Sequence, residues 1–314
     1  MSEFFQEAVL VSVLAATVRI ATPLLLAALG ELVAERAGIL NLGVEGTMLM
    51  SAFSGFVFTY VSGSLYVGLL MAVLTGMGMA FIMVFMAATL KVEQVVTGLS
   101  LNLLAIGFSA YLYKAVFGEH GGDLPTVPVF QAVEIPLLSA IPYLGEILFS
   151  QKGLTYLAFI MVPVVWFLLY RTKYGLEIRC IGENPKVIDT KGLSVTGRQY
   201  AAVLFGGAMS GLGGAFVTIG STERFVPEIT AGRGWLAIVI VIAGNWRPKW
   251  IMVAALVFAF LEAFQLQAQG LGLQVPYQVF LALPYVVAIL VMVLNRQRSE
   301  EPQHLARPYF RGER

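Results

Sequence analysis

The sequence has 314 residues, of which 58% are hydrophobic and 12% are charged, whereas a soluble chain carries roughly 25% charged residues. The mean hydropathy of +0.80 leaves too little polar surface to cover a water-soluble core. These values exclude a soluble enzyme, a disordered protein and a disulfide scaffold, and they indicate a polytopic membrane protein. Cys180 is the single cysteine, so neither an internal disulfide nor a cysteine-based metal site is expected. The net charge of +1 gives no reason to expect a nucleic-acid partner.

A membrane-spanning helix needs about 20 mainly apolar residues, and the sequence contains nine stretches of this kind. We predict an all-α membrane protein with about nine transmembrane helices (eight to ten), in which residues 1–314 form a single transmembrane domain. The predicted spans are 8–30, 43–62, 65–90, 96–114, 154–170, 199–220, 234–246, 250–268 and 275–294. The span at 234–246 is short, because a helix of that length reaches only about 20 Å. It either crosses part of the bilayer or continues into a re-entrant stretch.

The basic residues predict how these spans are oriented. With nine crossings the termini lie on opposite sides, and a cytoplasmic C-terminus places most of the 20 lysines and arginines on the cytoplasmic side, as the positive-inside rule requires. The N-terminus is then outside. No basic region typical of a secretory signal precedes the first span, which we expect to be retained. The layout gives an external loop at 118–152, a cytoplasmic loop at 171–198 and a cytoplasmic tail at 295–314.

The cytoplasmic loop contains the sequence GENPK at 182–186. Asn184 suits a helix N-cap, Pro185 suits the first helical position and Gly192 suits the end of a helix. The spacing predicts a helix of about two turns over 182–192 that stands free of the membrane. The alternative is a solvated connector with a chance helical turn.

A cytoplasmic motor could dock on this predicted helix, and we expect the side chains of Val187 and Ile188 to be exposed there and to supply apolar contact. The chain lacks the phosphate-binding pattern G-x-x-x-x-G-K-[ST]. Any nucleotide hydrolysis is therefore expected on a partner chain, and no catalytic residue, metal site or cofactor is expected on this one.

The sequence GILNLGVEG at 38–46 combines three glycines with an asparagine and a glutamate at the start of the second span. Glycine costs about 1 kcal/mol in a helix interior, and a glutamate is expensive in lipid. We interpret this stretch as a broken second helix that lines a cavity, because irregular backbone at membrane depth must face protein or water. The alternative is a loop just outside the bilayer.

Several polar and charged side chains fall within the predicted spans. An unpaired charge in the middle of a span is costly, so Arg19 is expected to form a buried ion pair with Glu45 or Glu262. Four polar residues could line a pathway, although each alone could be a hydrogen bond between helices: Asn41, Glu45, Thr97 and Asn102. The small residues at 206–214 are spaced to form a close-packing face, which we expect to act within the subunit.

Sequence motifs spread over nearly the whole chain carry a resemblance to a known family. They are GELVAERAGILNLGVEG at 30–46, VEQVVTGLSLN at 92–102, GENPK at 182–186, TAGRGW at 230–235 and ARPYFRGER at 306–314. The chain resembles the permease subunits of bacterial ABC importers for branched-chain amino acids, ribose and nucleosides. It looks most like the shorter permease of the nucleoside branch, whose receptor is of the basic-membrane-protein type.

The resemblance implies a type II-like importer transmembrane domain in the bacterial plasma (inner) membrane. It implies a heterodimer with a longer permease, ABC ATPase subunits that bind ATP and magnesium, and a substrate-binding lipoprotein for purine or other nucleosides. In this family a coupling helix docks into the ATPase, and the resemblance implies that it corresponds to 182–192 here. The residues expected to form the contact with the ATPase are Gly182, Glu183, Asn184, Pro185, Lys186, Val187, Ile188 and Asp189.

Other functions remain open at this stage. The substrate could instead be a simple sugar such as ribose or galactose, or a branched-chain amino acid. A self-sufficient secondary transporter or channel would explain the hydrophobicity and the buried charges equally well, but not the capped helix in an inner loop. A membrane scaffold that transports nothing would leave the broken helix without a purpose.

Overall fold

The computed structural model of the chain describes residues 7–118, 125–136, 138–139, 141–270, 286–290 and 300–310, together with the single positions 282, 284 and 293. Its helices are α1 Glu7–Arg36, α2 Val44–Ser62, α3 Leu65–Val84, α4 Gln94–Phe117, α5 Gly153–Arg171, α6 Lys173–Glu183, α7 Lys186–Thr190, α8 Val195–Val217, α9 Arg233–Ala243 and α10 Pro248–Gly270. Strands β1 Ala132–Glu134 and β2 Ser150–Lys152 form a short antiparallel pair. One π-helical turn extends α3 to Thr89 and another extends α8 to Thr222, and a third forms Gly145–Phe149.

The helical membrane fold predicted from the sequence is confirmed. Within the described residues, seven helices are long and apolar enough to cross a membrane, namely α1, α2, α3, α4, α5, α8 and α10. The short span predicted at 234–246 corresponds to α9, which has only 11 residues. Of the span predicted at 275–294 the structure describes 282, 284, 286–290 and 293, all of them helical, so the total of about nine remains a prediction.

Burial distinguishes inner helices from outer ones. Helix α8 is 78% buried and α2 is 72% buried, whereas α3, α4, α5 and α10 are each 33% buried. The outer helices expose large apolar side chains, for example Leu103 on α4 and Phe167 on α5. In water such a surface would be unfavourable, and in a bilayer it contacts lipid. The two inner helices are therefore the part of the structure that packing constrains most.

Glycines allow α8 to pack closely against α1 and α3. Gly207 of α8 faces Gly76 of α3, and Gly206 of α8 faces Gly30 of α1. At each position an added Cβ atom would lie within 3.1 Å of the opposing helix backbone. Small residues let helix backbones approach in lipid, where dispersion forces rather than water exclusion hold helices together. The close-packing face predicted at 206–214 is confirmed, and it acts within the subunit.

The loop at 171–198 differs from the expected single helix over 182–192. Helix α6 fills the first part of the loop and ends at Glu183, and the separate helix α7 has only five residues. Asn184 caps as predicted, since its Oδ1 accepts a hydrogen bond from the Lys186 amide at 3.1 Å. Gly192 lies beyond the helix with φ of 73°. The extended backbone of Asn184 separates the two helices, because the following proline disfavours the helical conformation at that residue.

Gly207→Ala should destabilise the contact between α3 and α8. The new Cβ would lie 2.4 Å from the Ala80 Cβ and 2.5 Å from the Gly76 carbonyl oxygen, and overpacking of this kind typically costs about 1–3 kcal/mol. A lower melting temperature of the purified protein is the expected result. Gly78→Ala on α3 is the matched control, because nothing lies within 4 Å of its added Cβ. Equal melting temperatures for the two variants would contradict the packing argument.

Candidate functional site

The stretch at 37–43 is a non-helical connection between α1 and α2 that lies almost entirely buried. Gly38 ends α1 with φ of 81°, a conformation that favours glycine. The Ile39 amide donates to the Ala34 carbonyl at 3.1 Å, as in a helix-ending turn. The side chains of Ile39 and Asn41 are 1% and 3% exposed. The interpretation of 38–46 as a break within the second span is not what the structure shows, because α2 runs unbroken over Val44–Ser62 and the irregular residues 37–43 join two helices of span length. The backbone of this connection is nevertheless enclosed by protein, and none of the cavities found among the described residues is lined by it.

Buried polar side chains satisfy the backbone of this connection. The Leu40 amide donates to Gln94 Oε1 at 2.8 Å, and the Asn41 amide donates to Glu31 Oε1 at 2.9 Å. Both acceptors are at least 98% buried. Since an unsatisfied buried amide costs several kcal/mol in an apolar medium, these two side chains are what allows the chain to leave the helix here.

Asn102 of α4 joins the connection to the first turn of α2. Its Nδ2 donates to the Leu42 carbonyl at 2.8 Å, and its Oδ1 accepts from the Gly46 amide at 2.7 Å. Asn41 lies in the same connection, where its Oδ1 accepts from the Gly43 amide at 3.0 Å. Thr97 is also buried, but its hydroxyl donates to the Glu93 carbonyl of its own helix. Three of the four proposed pathway residues thus surround one break, and a role in transport stays a prediction.

The carboxylate of Glu45 accepts hydrogen bonds at the N-terminus of α9. Its Oε1 accepts from the Gly232 amide at 2.9 Å and from the Thr230 hydroxyl at 2.5 Å, and its Oε2 accepts from the Gly234 amide at 2.6 Å. The first amides of a helix lack partners within the helix, and its dipole favours a negative charge there. A Cβ at Gly234 would lie 2.4 Å from the Glu45 Cα, so glycine is what permits this approach.

The ion pair predicted for Arg19 is wrong. Glu262 pairs instead with Arg233 at 2.7 Å, and Glu45 is satisfied by α9. No ion pair among the described residues includes Arg19. The prediction assumed that Arg19 is buried in the middle of its span. It could not take into account that backbone amides of α9 satisfy Glu45 instead.

Arg19 is exposed and lines a cavity of about 260 Å³ together with Arg233 and the hydroxyl residues Ser221 and Thr222. Lys152 lies close enough for its charge to matter: burial lowers the pKa of the Lys152 ammonium, and the positive charge of Arg19 lowers it further. Three cations therefore gather at this end of the helices. Because its side chain is exposed, Arg19 does not need the carboxylate partner that we had expected for a buried charge.

Helix α7 presents a different surface from the one expected. The side chain of Val187 is 42% exposed, but that of Ile188 is only 1% exposed. Ile188 packs with Ile181 of α6 and Val195 of α8 in a small apolar cluster. The expectation that both residues face outward is therefore wrong, because α7 needs one apolar side chain to hold it against its neighbours. Val187 is the apolar residue of α7 that remains available to a partner.

The segment at 300–310 crosses the same face of the protein and fixes the position of α7. The His304 amide donates to the Gly182 carbonyl at 2.7 Å, and the Ala306 amide donates to the Gly38 carbonyl at 3.2 Å. The Tyr309 hydroxyl donates to the Asp189 carboxylate of α7 at 3.0 Å. One short segment thus links the break after α1 to α6 and α7.

At its other end this segment is attached to the corner between α9 and α10. Glu300 forms an ion pair with Arg247, and this contact holds the pKa of the Glu300 carboxyl below its usual range. The Glu300 amide also donates to Asn245 Oδ1 at 2.7 Å. From the sequence, 295–314 was expected to be a cytoplasmic tail that ends in a family motif at 306–314. Its polar residues form no pattern that would have located these contacts.

Comparisons with known proteins agree with this architecture. The family described as branched-chain amino acid transport system / permease component matches residues 13–294. The putative glucose ABC transporter permease protein TsgC13 of Haloferax volcanii is 42% identical, over 82% of this chain and 78% of its own length. The guanosine ABC transporter permease protein NupQ of Bacillus subtilis is 32% identical over 95% of this chain and 96% of its own. The nucleoside ABC transporter permease protein NupC of Lactococcus lactis is 30% identical over 90% and 91%.

The two organisms with nucleoside permeases each have a second matching permease. The second protein of Bacillus subtilis, NupP, is 26% identical over 76% of this chain but 69% of its own length. The second protein of Lactococcus lactis, NupB, is 24% identical over 76% of this chain and 68% of its own. Each organism therefore has one relative that matches this chain over more than 90% of the relative's length and a second that matches over about two thirds of its length. No solved structure matches the chain.

Glu45→Gln should weaken the attachment of α9. The amide keeps one acceptor but places an NH2 group against backbone amides that also donate, and leaving one such donor unsatisfied costs about 1–3 kcal/mol. We expect a lower melting temperature of the purified protein and reduced uptake in cells. Glu228→Gln removes the same charge from an exposed side chain nearby and is the control. Loss of the same size in both variants would assign the effect to net charge rather than to these hydrogen bonds.

Proposed function

Because the chain belongs to the branched-chain amino acid transport system permease family, we propose that it forms half of the substrate pathway in an ATP-driven importer. Relatives of nearly equal length that are named as ABC transporter permeases support this role. The buried polar contacts around the connection at 37–43 support it physically, since non-helical backbone that is enclosed by protein at the ends of membrane helices is a common feature of transport pathways. Alternating access would then involve Asn41, Glu45, Thr97 and Asn102.

We further propose that the chain works as a heterodimer with a longer permease. The support is the second, less fully covered permease that accompanies each nucleoside relative. ATP and magnesium would bind to ATPase subunits, and a lipoprotein receptor would deliver substrate on the outer face of the bacterial plasma membrane. The N-terminus would be outside and α7 would face the cytoplasm, as the distribution of basic residues indicates.

Nucleosides are the substrates that we propose, with purine nucleosides foremost. The two nucleoside permeases match this chain over at least 90% of its length and of theirs, so the likeness includes both ends of the transmembrane domain. Glucose or another simple sugar is the second candidate, because the permease named for glucose has the higher identity of 42%. A nucleoside carries a sugar ring, so the two candidates share hydroxyl groups and differ in the base.

Uptake measurements distinguish these substrates. The chain would be expressed with its partner permease, ATPase and receptor in cells that lack their own nucleoside and sugar importers. We expect accumulation of labelled guanosine and adenosine, competition by either unlabelled nucleoside, and no competition by excess glucose or leucine. Glucose uptake that nucleosides leave unchanged would establish the sugar alternative. Uptake that persists with a hydrolysis-deficient ATPase would refute an ATP-driven importer and indicate a secondary transporter.

We propose that α7 is the coupling element that docks on the ATPase. Its exposed residues combine one apolar side chain, Val187, with charged ones such as Lys186. The chain contains no phosphate-binding loop, so energy would have to enter through a protein contact. Helix α7 is held on both sides by α6 and α8 and on top by Tyr309, so a force applied to it would reach the spans directly.

Val187→Asp should reduce ATPase docking and substrate-stimulated hydrolysis by roughly 10-fold or more, because burying an unpaired charge at an interface costs a few kcal/mol. Assembly in the membrane should be normal, since the residue is exposed and lies outside the spans. Thr190→Asp adds the same charge at another exposed position of the same helix. A smaller loss of docking in this variant than in Val187→Asp would show that the loss depends on the position of Val187. Normal copurification with normal stimulated hydrolysis in Val187→Asp would refute the assignment.

A further inference from the structure

A groove runs between α5 and α10 and changes character along its length. Its inner part is a cavity of about 590 Å³ with almost entirely apolar walls, formed by Phe159, Val162, Pro163, Met252 and Val253. The part at the end of α5 and the start of α10 is a polar cavity of about 360 Å³, lined by Tyr170, Arg247, Pro248 and Glu300. Trp166, Lys249 and Trp250 line both. The two cavities therefore form one continuous amphipathic groove.

Two cations from different helices lie beside Trp166, a residue that lines both cavities. Lys249 also lines both cavities, whereas Arg171 lines neither and stands at the end of α5 next to them. The Arg171 guanidinium lies 5.7 Å, and the Lys249 ammonium 5.8 Å, from the centre of the same Trp166 ring. The neighbouring Arg247 is paired with Glu300. In the part of the chain that the structure describes, none of the ion pairs includes Arg171 or Lys249. Two like charges gathered over one ring produce a positive potential that an anion would relieve.

We propose that this groove binds an anionic phospholipid, with an acyl chain between α5 and α10 and the phosphate at Arg171 and Lys249. Tryptophans mark the level of the lipid headgroups, and Trp250 is 57% exposed at the mouth of the groove. Basic pockets between membrane helices recognise anionic headgroups. A soluble anion would fill only the polar cavity and would leave the apolar one without an occupant, which is why a lipid fits better.

The depth of the groove matches the same occupant. Arg171 ends α5 and Pro248 begins α10, so the cations lie where the apolar spans end. Long basic side chains at such positions place their charge among headgroups while their stems stay in apolar surroundings. Val253 and Phe159 continue the groove toward the centre of the spans, where an acyl chain would lie.

Lipid retention by the full chain, purified in mild detergent with the subunits that accompany it, tests the proposal. Phosphatidylglycerol and phosphatidylcholine with identical acyl chains would be added, and bound lipid counted by native mass spectrometry. We expect preferential retention of phosphatidylglycerol. The double variant Arg171→Gln/Lys249→Gln should lower that retention roughly 5- to 30-fold and leave the weaker binding of phosphatidylcholine unchanged.

Two further variants separate the headgroup from the groove. Lys173→Gln removes an exposed cation two residues beyond Arg171. Among the described cations, those over the Trp166 ring are Arg171 and Lys249 and not Lys173, so retention should be unchanged. Val253→Trp fills the apolar cavity and should lower retention of both lipids, with the melting temperature in lipid-free detergent showing that the protein is folded.

The proposal is overturned by equal retention of the two lipids in the unaltered protein, or by equal losses in Lys173→Gln and the double variant. It is also overturned if a photoreactive residue in place of Val253 crosslinks to a protein chain rather than to lipid. Because lipid retention is measured without substrate or ATP, these outcomes do not depend on the proposed transport function.

Discussion

The constraint on which this structure depends is that backbone leaving a helix inside an apolar medium must find hydrogen-bond partners there. Between α1 and α2 the chain is non-helical and buried, so water cannot supply those partners. Glu31, Gln94 and Asn102 supply them from two different helices. The position of α4 relative to α1 is then set by polar contacts as well as by packing. Because the backbone at 37–43 lacks helical hydrogen bonds, it binds side chains of α1 and α4 instead, and these contacts help to fix the arrangement of the two helices.

The same constraint explains α9. A helix of 11 residues is about 16 Å long and cannot cross the bilayer, so its first amides lie within the protein. Glu45 satisfies two of those amides, and the helix dipole stabilises its charge. Glu45 begins the helix that follows the break, so the break between α1 and α2 and the start of α9 meet at one carboxylate. Two helix ends from different parts of the chain therefore share one charged group, and the proposed pathway would pass beside it.

Composition and local patterns predicted the helices, because an apolar stretch of sufficient length has one stable form in lipid. The glycine spacing in α8 also predicted a packing face, since backbone proximity depends on residue size alone. The partner of Glu45 could not be predicted in this way. The sequence shows which side chains are charged but not where backbone amides lie. We therefore expected Arg19 as the partner of the carboxylate and did not foresee the amides of Gly232 and Gly234. For the same reason the inward side of α7 was missed: five residues are too few for a periodic pattern to show that Ile188 faces the protein.

Hydrogen bonds and ion pairs on the face that carries α7 join elements that are far apart in sequence. The Arg36 guanidinium at the end of α1 donates to the Trp246 carbonyl at 2.9 Å, and the Trp246 indole donates to Glu35. Asn245 and Trp246 adopt φ of 50° and 53°, a conformation that costs about 1–2 kcal/mol per residue and that these contacts hold in place.

Glu300 is attached to the same corner, and from it the chain runs past Gly38 and Gly182 to Asp189. The end of α1, the corner before α10 and the short helix α7 are thereby joined through one segment. A displacement of α7 that kept the Tyr309–Asp189 hydrogen bond would pull on the segment that Ala306 attaches to Gly38. Asn102 and Glu45 are attached to the other side of that connection, so the polar site and the exposed face of α7 are joined through a short series of hydrogen bonds and the covalent chain between them.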